Sequence, residues 1–266
     1  MSDSRRLFEV DDLHVTYRRP GEKPVQAVRG VSFTLSSGET LGIVGESGSG
    51  KSTIAKVLML LHPAAGGSVR FQGRDIFAMS SAERRAYRND VQMVFQDAVG
   101  SLNPRMTVRQ TLNEICVRVA DGRAKRSPEE LLDLVGLSRA VFDQYPRELS
   151  GGQCQRVSIA RALAVDPVAL VADEPVSALD VSVQARILNL LRDLRRELNL
   201  AVLLIAHDLA VVRNVCDRVS VMHLGLFEDS GPAEDVFEHP QSEYTKTLLA
   251  AVPDVARSLA ARSAGA

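Results

Sequence analysis

The sequence predicts an α/β fold built on a parallel sheet that is covered by helices on both faces. Three stretches are apolar on consecutive positions, as buried strands of parallel sheets are: residues 41–44, 168–172 and 201–206. Helical patterns follow these strands, and strand, helix, strand in this order forms right-handed crossover units. We expect two additions to this core, an N-terminal antiparallel β subdomain and a helical subdomain inserted at about residues 97–164.

The first seventy or so residues carry short strand-like elements. Residues 7–17 and 25–35 have strand character, and Pro20 and Gly21 mark the turn between them. Residues 69–76 predict another strand, broken at Gly73. These elements predict the β subdomain.

Apolar spacing predicts two helices that flank the core strands. The first carries apolar residues at Ile54, Val57, Leu58 and Leu61. The second carries them at Val183, Ile187, Leu190, Leu191, Leu194 and Leu198. Either Asp180 or Ser182 could cap the second helix. The inserted segment 97–164 is helix-rich and polar, with breaks at three prolines.

Composition narrows the class of protein. The 266 residues are 45% hydrophobic and 24% charged, which suits one large folded domain and excludes a disordered chain. A net charge of -1 gives no general attraction to nucleic acid, and we expect no such partner. The three cysteines lack metal-ligand spacing, so we expect free thiols. The longest apolar run, Ala201–Ala206, is too short to span a membrane, so a membrane role would come through a partner.

A glycine-rich segment after the first buried strand predicts a phosphate-binding loop (P-loop). It reads Gly45, Glu46, Ser47, Gly48, Ser49, Gly50, Lys51, Ser52, Thr53, and matches G-x-x-x-x-G-K-[ST]. Glycines let the backbone turn its N–H groups toward phosphates, and the following helix adds the positive end of its dipole. We expect Lys51 to reach the β- and γ-phosphates of a nucleotide and the Ser52 hydroxyl to ligate Mg²⁺.

Two carboxylates follow the buried strand at residues 168–172. Asp173 and Glu174 would lie at the carboxyl edge of the parallel sheet, where ligands of such sheets bind. We expect Asp173 to hold Mg²⁺ through a water molecule and Glu174 to polarise the attacking water. Acidic residues often end strands for structural reasons, and it is the pairing with the P-loop that favours catalysis.

A second glycine-rich helix start lies at Ser150, Gly151, Gly152 and Gln153. Ser150 is a suitable N-cap, and the glycines expose backbone N–H groups, so the segment could bind an anion or simply begin a helix. Cys154 falls in the first turn, where the helix dipole favours the thiolate. We therefore expect Cys154 to react readily with alkylating agents.

These motifs together resemble those of ATP-binding cassette (ABC) ATPases. Leu-Ser-Gly-Gly-Gln at residues 149–153, some twenty residues ahead of Asp-Glu, is similar to the signature motif of that family. The resemblance covers residues 7–250 and implies a RecA-like P-loop NTPase core that uses ATP and Mg²⁺. It also implies a head-to-tail dimer in which the P-loop of one chain faces the signature of the other.

The resemblance assigns roles to four further residues. Gln96 is similar to the Q-loop glutamine, which touches Mg²⁺ or water and couples to the membrane partner. His207 is similar to the switch histidine that contacts the γ-phosphate, and Tyr17 to an aromatic residue that stacks on adenine. Asp180 ends a segment that resembles the D-loop.

Three stretches resemble one branch of the family, the ATPase subunits of bacterial oligopeptide, dipeptide and nickel importers. They are residues 101–108, residues 180–185 and a C-terminal extension over 230–266. Ser242 and Glu243 depart from the His-Pro that commonly precedes Tyr-Thr in that branch.

The branch implies partners and a location. It implies a peripheral subunit on the cytoplasmic face of the inner membrane, two transmembrane permeases, and a second ATPase subunit, identical or related. An extracytoplasmic substrate-binding protein would act indirectly. The alternative is a soluble ABC ATPase that acts on nucleic acid, but such relatives usually carry two cassettes or a long coiled-coil insertion, and we identify neither here.

Overall fold

The structure, a computed structural model, describes residues 6–18, 20–21, 23–118 and 126–251, without the side chains of residues 210 and 211. Over these residues the chain forms an antiparallel sheet and a mostly parallel sheet with helices around them. The predicted α/β class is therefore confirmed.

The N-terminal sheet is antiparallel. Its strands are β1 (Arg6–Tyr17), β2 (Val25–Ser36), β4 (Gly66–Phe71) and β5 (Arg74–Asp75), and their spatial order is β2-β1-β4-β5. The predicted break near residue 73 is a turn in which Gln72 and Gly73 both have positive φ, 51° and 79°.

The central sheet has six strands among the described residues. They are β3 (Thr40–Val44), β6 (Val91–Val94), β7 (Ala169–Asp173), β8 (Ala201–Ala206), β9 (Arg218–His223) and β10 (Leu226–Pro232), in the order β10-β9-β3-β8-β7-β6. All neighbours pair in parallel except β9 and β10, which form an antiparallel hairpin.

Helices cover both faces of the central sheet. They are α1 (Lys51–Leu58), α2 (Ser81–Asp90), α3 (Ala98–Ser101), α4 (Val108–Arg118), α5 (Pro128–Leu134), α6 (Gly151–Leu163), α7 (Val181–Leu198), α8 (Leu209–Arg213), α9 (Ala233–Glu238) and α10 (Glu243–Ala251). Helices α3 to α6 all fall within residues 97–164, and Asp180 is the cap of α7. In the part of the chain that is described, no helix is both long and apolar enough to cross a bilayer.

The hydrophobic core has one half on each face of the central sheet. Val202 and Leu204 of β8 belong to the half that α6 and α7 cover, whereas Leu203 and Ile205 belong to the half between this sheet, α1 and the N-terminal sheet. Burial on both faces explains why the central strands are apolar on consecutive positions. Because β3, β8 and β7 are parallel neighbours, the segments that follow them meet at the same edge of the sheet.

Helix α1 is shorter than its apolar pattern predicts. It ends at Leu58, and Leu61 is 65% exposed rather than part of the buried face. Leu60 adopts a left-handed backbone with φ 56°, and the Leu61 N–H donates to the Lys56 carbonyl, which closes the helix. The prediction for Leu61 was wrong because spacing alone does not reveal where a helix is capped.

Candidate active site

The P-loop connects β3 to α1 and curls tightly against neighbouring backbone. Gly45 and Gly50 have φ values of 150° and 114°, which side chains disfavour. A Cβ atom at Gly45 would lie 2.0 Å from the Met222 carbonyl oxygen, and one at Gly50 would lie 2.2 Å from the Ala27 carbonyl oxygen. Glycine is therefore required at both positions by backbone packing as well as by conformation.

Lys51 lies inside this loop with only 4% of its surface exposed. Its Nζ donates hydrogen bonds to the carbonyl oxygens of Gly45, at 2.7 Å, and Glu46, at 2.8 Å. Burial lowers the pKa of Lys51, while the nearby carboxylates of Glu174 and Asp173 act in the opposite direction. The loop therefore holds a cation beside the N–H groups at the start of α1.

Ser52 and Asp173 form a pair of oxygen donors beside Lys51. The Ser52 hydroxyl donates to Asp173 Oδ1 at 2.9 Å. Burial raises the pKa of Asp173, and the hydrogen bond from Ser52 partly offsets that rise. A desolvated carboxylate next to a hydroxyl fits Mg²⁺, which binds hard oxygen atoms and uses few protein carboxylates when phosphates complete its shell. Within the described ranges, no group of three His, Cys, Asp or Glu residues offers another metal site.

Glu174 and His207 meet at the ends of two adjacent strands. Glu174 directly follows β7, and its N–H donates to the Ile205 carbonyl at 3.0 Å. His207 directly follows β8, and its Nδ1 lies 3.6 Å from Glu174 Oε2. Glu174 has a left-handed φ of 46°, a strained conformation for a residue with a side chain. Such strain concentrates at functional sites.

A cavity of about 390 Å³ is lined by nine of the nineteen predicted site residues. It is lined by Tyr17, Ala27, Ser47, Gly48, Gly50, Lys51, Ser52, Thr53, Gln96 and Glu174. Residues from five separate parts of the sequence therefore face one space. Ala27 was not predicted as a site residue, because its position depends on how β2 packs against the P-loop.

Tyr17 stands at one end of this cavity. Its hydroxyl and that of Thr53 exchange a hydrogen bond of 3.3 Å. Its ring lies 4.4 Å, centroid to centroid, from the imidazole of His62, tilted by 56°. His62 was missed by the sequence analysis since it lies in the irregular segment after α1. The ring of Tyr17 therefore has a second aromatic ring beside it.

The second glycine-rich segment begins α6 and lies apart from the cavity. Ser150 caps the helix: its Oγ accepts the Gln153 N–H at 3.3 Å, and Gln153 Oε1 accepts the Ser150 N–H at 2.9 Å. Among the described residues that line the P-loop cavity, none belongs to Ser150–Gln153. Gly151 instead lines a neighbouring cavity of about 310 Å³, which Gln96 also lines.

Asp180 likewise serves as a helix cap in this chain. Its carboxylate accepts the Val183 N–H at 3.0 Å and the Ser182 hydroxyl at 2.8 Å, and these bonds lower its pKa. In the structure, Asp180 rather than Ser182 is therefore the N-cap of α7. The signature and Asp180 are not brought to the P-loop of the same chain.

Cys154 does not have the reactive environment that we expected. Its side chain is fully buried, and its Sγ donates to the Pro146 carbonyl at 3.4 Å. Burial raises the pKa of the thiol, which outweighs the effect of the helix start. The prediction was wrong because Cys154 is on the face of α6 that packs into the core.

Sequence comparison with known proteins is consistent with a nucleotide-binding site. Residues 28–177 match the family model described as ABC transporter. The chain is 44% identical over 261 residues to the dipeptide transport ATP-binding protein DppF of Lactococcus lactis subsp. cremoris, covering 95% of this chain and 83% of that protein. It is 47% identical over 262 residues to the oligopeptide transport ATP-binding protein OppF of Salmonella typhimurium, covering 93% and 78%.

Solved structures show the same fold. A dimeric ATP-binding cassette in a post-hydrolysis state, bound to ADP and Pi, is similar with a TM-score of 0.74 and 30% identity, covering 85% of this chain and 99% of that one. An ATP-binding cassette of an ABC transporter in its ADP conformation is similar with a TM-score of 0.74 and 26% identity, covering 91% and 98%.

Proposed function

Because the chain belongs to the ABC transporter family, whose cassettes bind and hydrolyse ATP, we propose that it is the ATP-hydrolysing subunit of an importer that takes up peptides. The observation that carries this proposal is one cavity at the carboxyl edge of the sheet. Lys51, Ser52 and Glu174 line it, and Asp173 and His207 lie against those residues.

The residues in and around the cavity support separate roles in ATP hydrolysis. The loop N–H groups and the Lys51 ammonium bind the phosphates, and Tyr17 and His62 contact the base. Ser52 and Asp173, with Gln96 beside the cavity, would hold Mg²⁺, which supplies charge neutralisation on the phosphates. Glu174 polarises the attacking water, and His207, 3.6 Å away, contacts the γ-phosphate.

The separation of the signature from the P-loop supports a site shared by two chains. We propose that Ser150–Gln153 of one protomer approach the γ-phosphate bound to the other, with Asp180 near the dimer axis. The γ-phosphate is then bound between the N-termini of two helices, α1 of one protomer and α6 of the other. Hydrolysis removes that bridge, and the dimer opens, so ATP favours the closed state by binding it more tightly.

The names of the relatives support the transport role. Those named for dipeptide and oligopeptide transport cover most of this chain, so we propose peptides as the cargo. The subunit would sit on the cytoplasmic face of the inner membrane under two permeases, paired with an identical or related ATPase. An extracytoplasmic binding protein would deliver the peptide.

The Lys51→Ala variant tests the nucleotide site. Loss of a charged donor to the phosphates should weaken ATP binding by about 10- to 100-fold. Calorimetric titration with Mg-ATP measures the affinity, and Lys56→Ala, an exposed lysine on the same helix, is the matched control. An unchanged affinity in Lys51→Ala would contradict the P-loop assignment.

A further inference from the structure

The outer side of the P-loop rests on the β9–β10 hairpin. The Gly225 N–H donates to the Ser49 carbonyl at 2.9 Å, and the Met222 carbonyl lies against Gly45. The Arg29 N–H of β2 donates in turn to the Gly225 carbonyl at 2.8 Å. The hairpin therefore connects the loop that would bind phosphate to the edge of the sheet.

Tyr244, from α10 of the C-terminal extension, completes this support. Its ring stacks on the imidazole of His223, with centroids 3.9 Å apart and planes 13° apart. Its hydroxyl oxygen accepts the Glu46 N–H at 3.4 Å, a long hydrogen bond. His223 Nδ1 lies 3.7 Å from Glu228 Oε1, so the stack is itself anchored to the hairpin. Burial raises the pKa of the Tyr244 hydroxyl.

The peptide group between Gly45 and Glu46 is held from both sides. Its carbonyl oxygen accepts Lys51 Nζ at 2.7 Å, and its N–H points the opposite way, toward Tyr244. Gly45, with φ 150°, imposes little resistance to rotation of this peptide. Two side chains, one from the P-loop and one from α10, thus fix an orientation that glycine leaves free.

We propose that Tyr244 is a positioning residue for ATP binding, which acts through the Gly45–Glu46 peptide to hold the P-loop and Lys51 in place. The inference rests on the proposed function, since it concerns the same ATP site. The C-terminal extension would thereby influence nucleotide affinity. A change in how α10 packs would alter the position of the P-loop groups that bind the phosphates.

Helix α10 also packs against the core through Leu248 and Leu249, and Tyr244 could in principle serve only that docking. The two roles differ in what they alter. Docking alone changes thermal stability, whereas positioning changes the dissociation constant and KM for ATP in protein that remains folded. Tyr244→Phe separates them, because it keeps the ring on His223 and removes only the hydroxyl.

The experiment measures the Kd of Mg-ATP, KM, kcat and melting temperature for the full chain and three variants. We expect a Kd and KM about twofold higher for Tyr244→Phe and about five- to tenfold higher for Tyr244→Ala, at an unchanged kcat. Thr247→Val, an exposed hydroxyl on the same helix, is the matched control and should bind as the wild type does.

Two results would overturn the inference. One is a Kd for folded Tyr244→Phe and Tyr244→Ala equal to that of the control. The other is a Tyr244 variant whose melting temperature or kcat is lower while its KM for ATP equals that of the wild type. Should Tyr244→Ala not fold, an unchanged Kd in Tyr244→Phe together with His223→Ala would overturn it equally. Failure of the proposed function is recognised separately, because wild-type protein would then bind ATP no better than Lys51→Ala.

Discussion

At the scale of single residues, Glu174 joins a strained backbone to a chemical role. Its φ of 46° costs about 1–2 kcal/mol relative to an ordinary conformation. The conformation directs the carboxylate toward His207 and the P-loop cavity, with only 16% of the side chain exposed. The fold therefore gives up some stability to place a carboxylate at the predicted position of attack.

Glu174→Gln should keep ATP affinity within about twofold and lower kcat at least 100-fold, because the amide retains the shape but not the charge that polarises water. Phosphate release and calorimetric titration measure the two quantities. Glu129→Gln, at a half-buried carboxylate on α5 that pairs with Arg109 away from the P-loop cavity, is the control for a lost carboxylate. Phosphate release at the wild-type rate would place the general base elsewhere, with His207 the next candidate.

Single residues were predictable where a motif fixes their place in the chain. Lys51, Asp173 and Glu174 follow buried strands, so their positions at the sheet edge could be inferred before any contact was known. Cys154 could not, since its reactivity depends on which face of α6 packs inward. Tyr244 was missed as a neighbour of the P-loop, because residues 46 and 244 are joined only by the fold.

At the scale of elements, the β9–β10 hairpin shows a local conflict between sequence and conformation. Its two-residue turn places Leu224 and Gly225 at φ 45° and 86°, the pattern of a type I′ turn. Leucine is poorly suited to the first of these positions, and its side chain is 65% exposed. Nothing in the packing of that side chain offsets the backbone strain.

Leu224→Asn should therefore raise the free energy of unfolding by about 0.5–1 kcal/mol, since asparagine tolerates positive φ and Asn-Gly favours this turn. Thermal unfolding measures the change. Leu61→Asn is a matched control, because Leu61 is also 65% exposed but its backbone is not left-handed. Equal shifts in the two variants, or a lower melting temperature for Leu224→Asn, would contradict the account of the turn.

The strands that are most deeply buried were the easiest to predict from the sequence. Strands β3, β7 and β8 lie in the middle of the sheet, and their unbroken apolar runs mark them in the sequence. Strand β10 lies at the edge and none of its residues is fully buried; after Leu226 and Phe227 it continues with Glu, Asp, Ser, Gly and Pro, which do not indicate a strand. Its partner β9 includes a buried serine that interrupts the apolar pattern.

At the scale of the whole molecule, one chain keeps its two glycine-rich helix starts, the P-loop and the start of α6, apart. The P-loop cavity and the start of α6 are connected within the chain by Gln96, which lines the cavities beside both. The head-to-tail dimer was inferred from family resemblance, since no spacing within one sequence specifies a contact between two chains.

The variants for testing it follow from the packing of α6. A Cβ atom at Gly151 would lie 3.1 Å from Leu179 Cδ2, the end of a flexible side chain, so Gly151→Asp should be accommodated. A Cβ atom at Gly152 would lie 2.6 Å from Val183 Cγ1, a closer clash on a stiffer residue. Gly151→Asp should therefore damage the fold less than a change at Gly152, and in the proposed dimer it would bring a carboxylate against the γ-phosphate.

The most direct measurement is ATPase activity in mixtures of Lys51→Ala and Gly151→Asp chains, after sizing Glu174→Gln protein with ATP to establish that the chain pairs with itself. Each variant alone should be nearly inactive, since both sites of its dimer are damaged. A mixed dimer retains one site with an intact P-loop from the Gly151→Asp chain and an intact signature from the Lys51→Ala chain. The account predicts that mixing restores activity, up to one working site per mixed dimer. No recovery in demonstrably mixed dimers would contradict it.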